Sequence, residues 1–423
     1  MGIQSSYANS RTSTSRRMVK FGGGYMSQVK MVPRWGKATG VIAVIYTTVV
    51  ALVIWAILAD PRGPFKFYTP LYWFAIANWL ILPVLWMHLI FEDHPFTRFG
   101  PKKKGALMIP VSLFISLFSF YVFMWYIYGF MAIPYFSWPK LQSMGLSPLV
   151  ARSYSCFGNI TAVFIGLFAF AFWPILFENW PWKGKLQQPS LGFAVFSFSA
   201  LMGVFLFQIL FQPHYGEAFP TSQAYAIASP PWWQSFSLTY HGFFTVGWFL
   251  WAIVYLFLTA TIWEGKPWTA VKKQPWRGIF GFLGIIGISW LTMYLCLAIM
   301  DILLGPGIPG GRRAAGLPWR YLHSGEIAAF ILPAAVYLYY YFNNWPRKFS
   351  PEVNWLIRTF LVFLFGWITG LVYYAVGSAA LGVPTTWDSE VQFPIAWIVW
   401  WLVVILYNAW YMDRWPAFKP VKP

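Results

Sequence analysis

Ten runs of about twenty apolar residues restrict this chain more than any other feature; they lie at 40–58, 71–91, 106–130, 156–177, 191–211, 238–263, 278–304, 323–342, 356–381 and 393–412. A helix rises about 1.5 Å per residue, so each run is long enough to cross a hydrocarbon layer of about 30 Å. In lipid every backbone N–H and C=O needs an internal partner, which leaves helices and closed barrels. The runs are rich in Phe, Leu, Ile and Trp without period-two alternation, so helices are expected rather than barrel strands. The expected fold class is an all-α polytopic membrane protein of about ten transmembrane helices. Composition agrees: 58% of the residues are hydrophobic and 10% charged, where a soluble domain carries about 25% charged residues. A water-soluble globule, a disordered chain and a fibrous protein are thereby excluded. The 28 Trp and 24 Tyr suit a chain with many crossings of the membrane boundary, where an apolar ring with a polar handle is favoured.

The runs are punctuated by a recurring motif. The second closes on Phe91-Glu92-Asp93-His94-Pro95-Phe96 and the fourth on Phe177-Glu178-Asn179-Trp180-Pro181-Trp182. The sixth closes on Trp263-Glu264-Gly265-Lys266-Pro267-Trp268, the eighth on Phe342-Asn343-Asn344-Trp345-Pro346-Arg347 and the tenth on Met412-Asp413-Arg414-Trp415-Pro416-Ala417. Successive motif prolines are 86, 86, 79 and 70 residues apart. Each interval holds two runs, so the expected unit is a two-helix hairpin repeated in tandem: 40–91, 106–177, 191–263, 278–342 and 356–412. Such a unit has an even span count and cannot invert, which weighs against an inverted-repeat transporter, although parallel repeats also occur in transporters. Glu92, Glu178, Glu264 and Asp413 stand at helix C-termini, where a carboxylate opposes the macrodipole by about 0.3–1 kcal/mol. The expected explanation is a membrane-exit motif: the acid pairs with nearby Lys or Arg, and Pro95, Pro181, Pro267, Pro346 and Pro416 stop the helix. The competing reading is a ring of carboxylates around a pore or partner site.

Basic residues set the expected orientation. With the N-terminus cytoplasmic, 23 Lys and Arg fall on that side and 7 on the other, the bias of the positive-inside rule. Both termini are then cytoplasmic: a basic arm over 1–38, a membrane domain over 39–412 and a tail over 413–423. The +18 net charge follows largely from this bias, so nucleic acid is not an expected partner; a lipid bilayer is, and a basic face attracts anionic headgroups. The acid-free arm has the composition of an organellar transit peptide, and Met1-Gly2-Ile3-Gln4-Ser5-Ser6 matches the myristoylation pattern. The plain reading of a cytoplasmic arm is preferred to both, with the chain in the cytoplasmic (inner) membrane of a prokaryote. Cys156 and Cys296 are too few for a disulfide scaffold or a multi-cysteine metal cluster.

Of the twelve acids only Asp301 and Glu326 fall within or just inside apolar runs, and ionisable groups at membrane depth are functional candidates. Arg320, His323 and Glu326 recur every three residues and share a helix face at the outer boundary. His214 and His241 lie at similar depth, and Glu217 with them. Asp301, Arg320, His323 and Glu326 are candidates for proton or substrate handling. His214, His241, His323 and Glu326 are candidate metal ligands, since imidazole with carboxylate suits Zn, Cu or Fe. A quinone is the other cofactor expected; haem is disfavoured, because the five histidines offer no clean facing pair. An Arg–carboxylate–His network that merely fixes helix packing is the structural alternative.

The function expected is that of an integral membrane subunit of a larger redox or respiratory assembly serving electron transport, with other protein subunits as partners. It would bind a quinone, lipid or metal near the outer face. A transporter or channel for a small solute is the first alternative. A self-contained membrane metalloenzyme acting on a small apolar substrate is the second.

Overall fold

The computed structural model describes residues 31–68, 72–129, 136–210, 231–304, 316–383 and 394–420, with backbone alone at 208, 231–243, 304 and 316–319. The described chain is helical throughout apart from turns and one small sheet, an all-α protein. Its helices are α1 (Thr39–Leu58), α2 (Tyr72–Leu85), α3 (Pro101–Leu117), the short α4 (Trp138–Ser143), α5 (Pro148–Phe172) and α6 (Ser190–Leu210). Then follow α7 (Pro231–Ala260), α8 (Trp276–Leu304), α9 (Gly316–Tyr340), α10 (Pro351–Leu381) and α11 (Pro394–Leu406). Four of them run on into wider turns, at Trp86–Ile90, Phe118–Tyr128, Trp173–Phe177 and Tyr407–Tyr411. Among the described residues nine helices are long and apolar enough to cross a membrane; a tenth apolar stretch, Phe244–Ala260, is the described part of α7.

Burial divides these helices into two classes. In α1, α3, α6, α8 and α10 only 22–28% of the most apolar window is buried, whereas in α2, α5, α9 and α11 the share is 78–100%. The described part of α7 belongs with the second class, since Phe249, Leu250, Trp251 and the residues after them are buried. The second class packs in a closed circuit: α2 on α5, α5 on α7, α7 on α9, α9 on α11 and α11 back on α2. The first class lies outside this ring. Its exposed side chains, such as Ile45, Phe114, Phe193, Leu283 and Phe360, are what a helix facing lipid presents, since apolar groups there need no cover.

Packing joins consecutive helices in a different register from the pairs read in the sequence. Each outer helix lies chiefly on the inner helix that precedes it: α3 on α2, α6 on α5, α8 on α7 and α10 on α9. The reason is that the Pro-bearing motif reverses the chain at the end of the inner helix and lays the next helix along its flank. The fifth unit is completed across the chain ends, with α1 on α11. Strand β1 (Met31–Pro33) pairs antiparallel with β2 (Phe418–Pro420), Met31 opposite Pro420. The described N- and C-terminal segments therefore meet on the motif side.

Indole N–H groups of the inner helices tie them to their neighbours at one repeated height. Trp79, Trp251 and Trp400 each stand sixteen residues before a motif proline. Trp79 donates to Asn159 Oδ1 at 3.0 Å, linking α2 to α5, and Trp251 donates to Ser324 Oγ at 3.0 Å, linking α7 to α9. Trp400 donates to the Ala51 carbonyl at 3.0 Å, linking α11 to α1. Away from water such a bond cannot be exchanged for a hydrated one, so these pairs fix which helix faces which.

Candidate functional site

The motif turns are built alike at atomic detail. The two residues after each inner helix adopt positive φ: Glu92 and Asp93, Glu178 and Asn179, Glu264 and Gly265, Asn343 and Asn344, Asp413 and Arg414. Left-handed backbone suits Gly and is tolerated by Asn and Asp, which explains most of these residue types. The second residue donates its N–H six positions back, Asp93 to Met87 O, Gly265 to Thr259 O, Asn344 to Leu338 O and Arg414 to Asn408 O, at 2.8–2.9 Å. This bond reaches one residue further back than the longer bond of a Schellman ending, because two left-handed residues follow one another. The peptide bonds before Pro95, Pro181, Pro267, Pro346 and Pro416 are all cis.

Three of the four acids at the first position are paired, but with a base from the next unit rather than one close in sequence. Glu178 Oε1 lies 2.8 Å from Arg277 and Asp413 Oδ1 lies 2.9 Å from Lys104. Glu264 Oε1 accepts from Asn344 at 2.7 Å and lies 3.5 Å from Arg358. Glu92 stands near Lys183 and Gln188; burial pushes its carboxyl above the usual range, and those two groups oppose that shift. The same neighbours cap the helix ends. Gln188 donates to Ile90 O and Gln274 to Leu176 O, both at 2.9 Å, and Lys104 donates to Trp410 O at 2.8 Å. In four of the five motifs the residue before the first left-handed position is seated on a glycine of the following unit: Phe91 on Gly192, Phe177 on Gly278, Phe342 on Gly40 and Met412 on Gly105, where a Cβ would collide. The motifs thus act as clasps between successive units, which is sufficient cause for their acids.

One clasp carries more. His88 Nδ1 is 2.9 Å from Asp93 Oδ1, Asp93 Oδ2 is 2.7 Å from Lys104 Nζ, and Lys104 continues to Asp413. The His88 ring stacks on Trp410 with centroids 4.3 Å apart. Burial pushes the Asp93 carboxyl up, but His88 and Lys104 more than reverse this, and it ends below the usual carboxylate range. The sequence reading missed this chain, because His88 and Asp93 are five residues apart and meet only through the left-handed turn.

At the opposite end of the ring the structure brings four of the sequence candidates together in two pairs. Arg320 of α9 reaches Asp301 of α8 at 2.6 Å. His323 Nδ1 lies 2.8 Å from Glu326 Oε2, with side chains 5% and 0% exposed. The pair is pressed against α7, where Gly325 meets Gly247; a Cβ on Gly247 would strike the Tyr321 carbonyl oxygen. Ser324 accepts from Trp251 and donates to Met293 O at 3.2 Å, anchoring the same turn to α8. Tyr373 and Tyr374 of α10 stand within electrostatic range of Glu326. Glu326 Oε1 is buried and has no hydrogen-bond partner among the described residues. A carboxyl with one oxygen on an imidazole and the other left over keeps a position at which a proton or a ligand's donor can sit.

His214 and Glu217 lie outside the described residues, as does the side chain of His241. Among the described residues no group of three or more His, Cys, Asp or Glu side chains is placed to hold a metal. Cys156 and Cys296 are both free and buried. No protein-family model, no curated protein and no solved structure matches the chain.

Proposed function

We propose that this chain is an integral membrane subunit of a larger redox assembly, and that His323 and Glu326 exchange a proton with a quinone bound near the outer face. The observation that carries the reading is the Glu326 carboxyl, wholly buried, 2.8 Å from His323 and with its second oxygen unoccupied. Burying such a group is costly, and a reducible carbonyl that needs protons as it takes electrons gives it a use. The arrangement proposed is five tandem hairpin units in the cytoplasmic membrane of a prokaryote, with the motif turns and both termini on the cytoplasmic side. The excess of Lys and Arg at that end supports it.

The test is isolation in mild detergent. Co-migration with a redox-active partner and retention of an extractable quinone that Glu326→Gln loses is the expected result. Purification as a lone chain that moves a solute across liposomes would replace the proposal with transport. Metal that stays bound in wild type and is lost in His323→Ala would favour the metalloenzyme instead.

A further inference from the structure

A second cluster lies at the same end of the ring, between α2, α3, α4 and α5, and holds three donor-only nitrogens. The Arg152 guanidinium of α5 lies over Tyr72, 4.5 Å from its ring centroid, and over Trp138, 5.0 Å from its centroid. Trp138 packs edge-on against Trp125 at 5.3 Å, and Trp125 against Tyr121 at 5.2 Å. The Tyr72 and Tyr121 hydroxyls satisfy each other. Arg152 Nε, Trp138 Nε1 and Trp125 Nε1 are shut off from solvent and have no acceptor among the described residues. Trp125 as a whole is only 5% exposed. No ion pair among the described residues includes Arg152.

Three donors and no acceptor is an incomplete set. A guanidinium stays protonated at any accessible pH, so its charge calls for a counter-charge, and the two aromatic faces supply only part of it. Indole N–H is donor-only, so two indoles beside an arginine cannot satisfy each other. Buried donors in this state are the mark of a missing acceptor. What completes the set must be negative, must accept several hydrogen bonds at once and must reach the end of a membrane-embedded ring. An oxyanion fits all three requirements, and arginine is the residue suited to carboxylate and phosphate.

We infer that Arg152, Trp125 and Trp138 form an oxyanion site, taking the carboxylate or phosphate group of a membrane amphiphile at the ring end opposite the motif turns. The site is independent of the His323–Glu326 reading. The Tyr72 and Trp138 rings serve as the walls against which the guanidinium lies, leaving its edge for the anion.

The test uses the full chain, stripped of lipid in detergent, with native mass spectrometry counting what rebinds. The probes are phosphatidylglycerol, oleate, neutral monoolein and inorganic phosphate. Wild type is expected to retain phosphatidylglycerol or oleate and not monoolein, with binding about tenfold weaker or more in Arg152→Gln. Trp125→Phe and Trp138→Phe each remove one donor while keeping the ring packing, and each is expected to weaken binding several-fold. Preference for phosphatidylglycerol over oleate identifies phosphate as the group bound, and the reverse identifies carboxylate. Competition by inorganic phosphate at similar concentration shows that the headgroup alone suffices. Equal retention by wild type and all folded variants overturns the site, as does retention of none of the probes by wild type. If Arg152→Gln does not fold, the two tryptophan variants decide.

Discussion

Lys104→Met tests how the first and fifth units are joined. The ammonium is 6% exposed and satisfies three acceptors: Asp93 Oδ2 at 2.7 Å, Asp413 Oδ1 at 2.9 Å and Trp410 O at 2.8 Å. Methionine fills the same volume but leaves the acids. Asp413 is 29% exposed and can take up water, whereas Asp93 is 12% exposed and keeps only His88. Most of the cost therefore falls on Asp93, and removing one partner of a buried pair costs about 3–5 kcal/mol. Adding Asp93→Asn removes the stranded charge and is expected to restore about 1–3 kcal/mol, a coupling that a double-mutant cycle measures. The assay is reversible unfolding in mixed micelles followed by tryptophan fluorescence. Acidity gives a second readout. Because the Asp93 carboxyl is held below its unfolded value, its contribution is present above about pH 3.9 and is lost as pH falls from there through the folded value. Lys104→Met should flatten that acid-side loss. A variant within about 0.5 kcal/mol of wild type, or no recovery with Asp93→Asn, would refute the argument that this ion chain locks the two units.

Two glycines of α8 should respond in opposite directions. Gly278→Ala drives a Cβ into the Phe177 ring, whereas Gly287→Ala meets nothing within 4 Å; the first should cost about 1–3 kcal/mol and the second gain up to about 1 kcal/mol in the same unfolding assay. Glu92→Gln should raise stability near neutral pH and leave it unchanged below about pH 4: a buried carboxyl whose value is pushed up weakens the fold as pH rises from the unfolded value through the folded one. Trp251→Phe should cost about 1 kcal/mol by leaving Ser324 Oγ without its donor, while Trp248, bonded to Ile286 O at 2.9 Å on the α8 side, provides a matched comparison. Glu326→Gln should keep thermal stability near that of wild type while abolishing quinone-linked proton uptake; loss of folding with uptake retained in the residual protein would contradict the role given to Glu326.

Much of this was readable from residues alone, and what was not has physical causes. Length and apolarity marked the spans, because burial of the backbone in lipid leaves few choices. Asp301 with Arg320, and His323 with Glu326, were legible as candidates from helix spacing and from the rarity of charge in apolar runs. The partners of the motif acids were not. Their bases come from the following unit, 99 residues away for Glu178 and 309 for Asp413, and a local reading looks only to neighbouring lysines. The inner and outer classes were also hidden, since α1 and α11 are both apolar and differ mainly in what surrounds them. Trp79, Trp251 and Trp400, at one fixed distance from their prolines, carried a usable signal. So did Gly192 and Gly278, spaced by the repeat length. The Arg152 cluster draws on four helices and has no sequence signature.

The circuit of inner helices has a thermodynamic consequence. An open array of repeats frays from its ends, because the terminal copies lack one neighbour. Here each copy has two, and every clasp is completed by the copy beyond it. No unit can loosen without unseating another, so partial melting has nowhere to start, and loss of the fold should proceed as a single event rather than copy by copy.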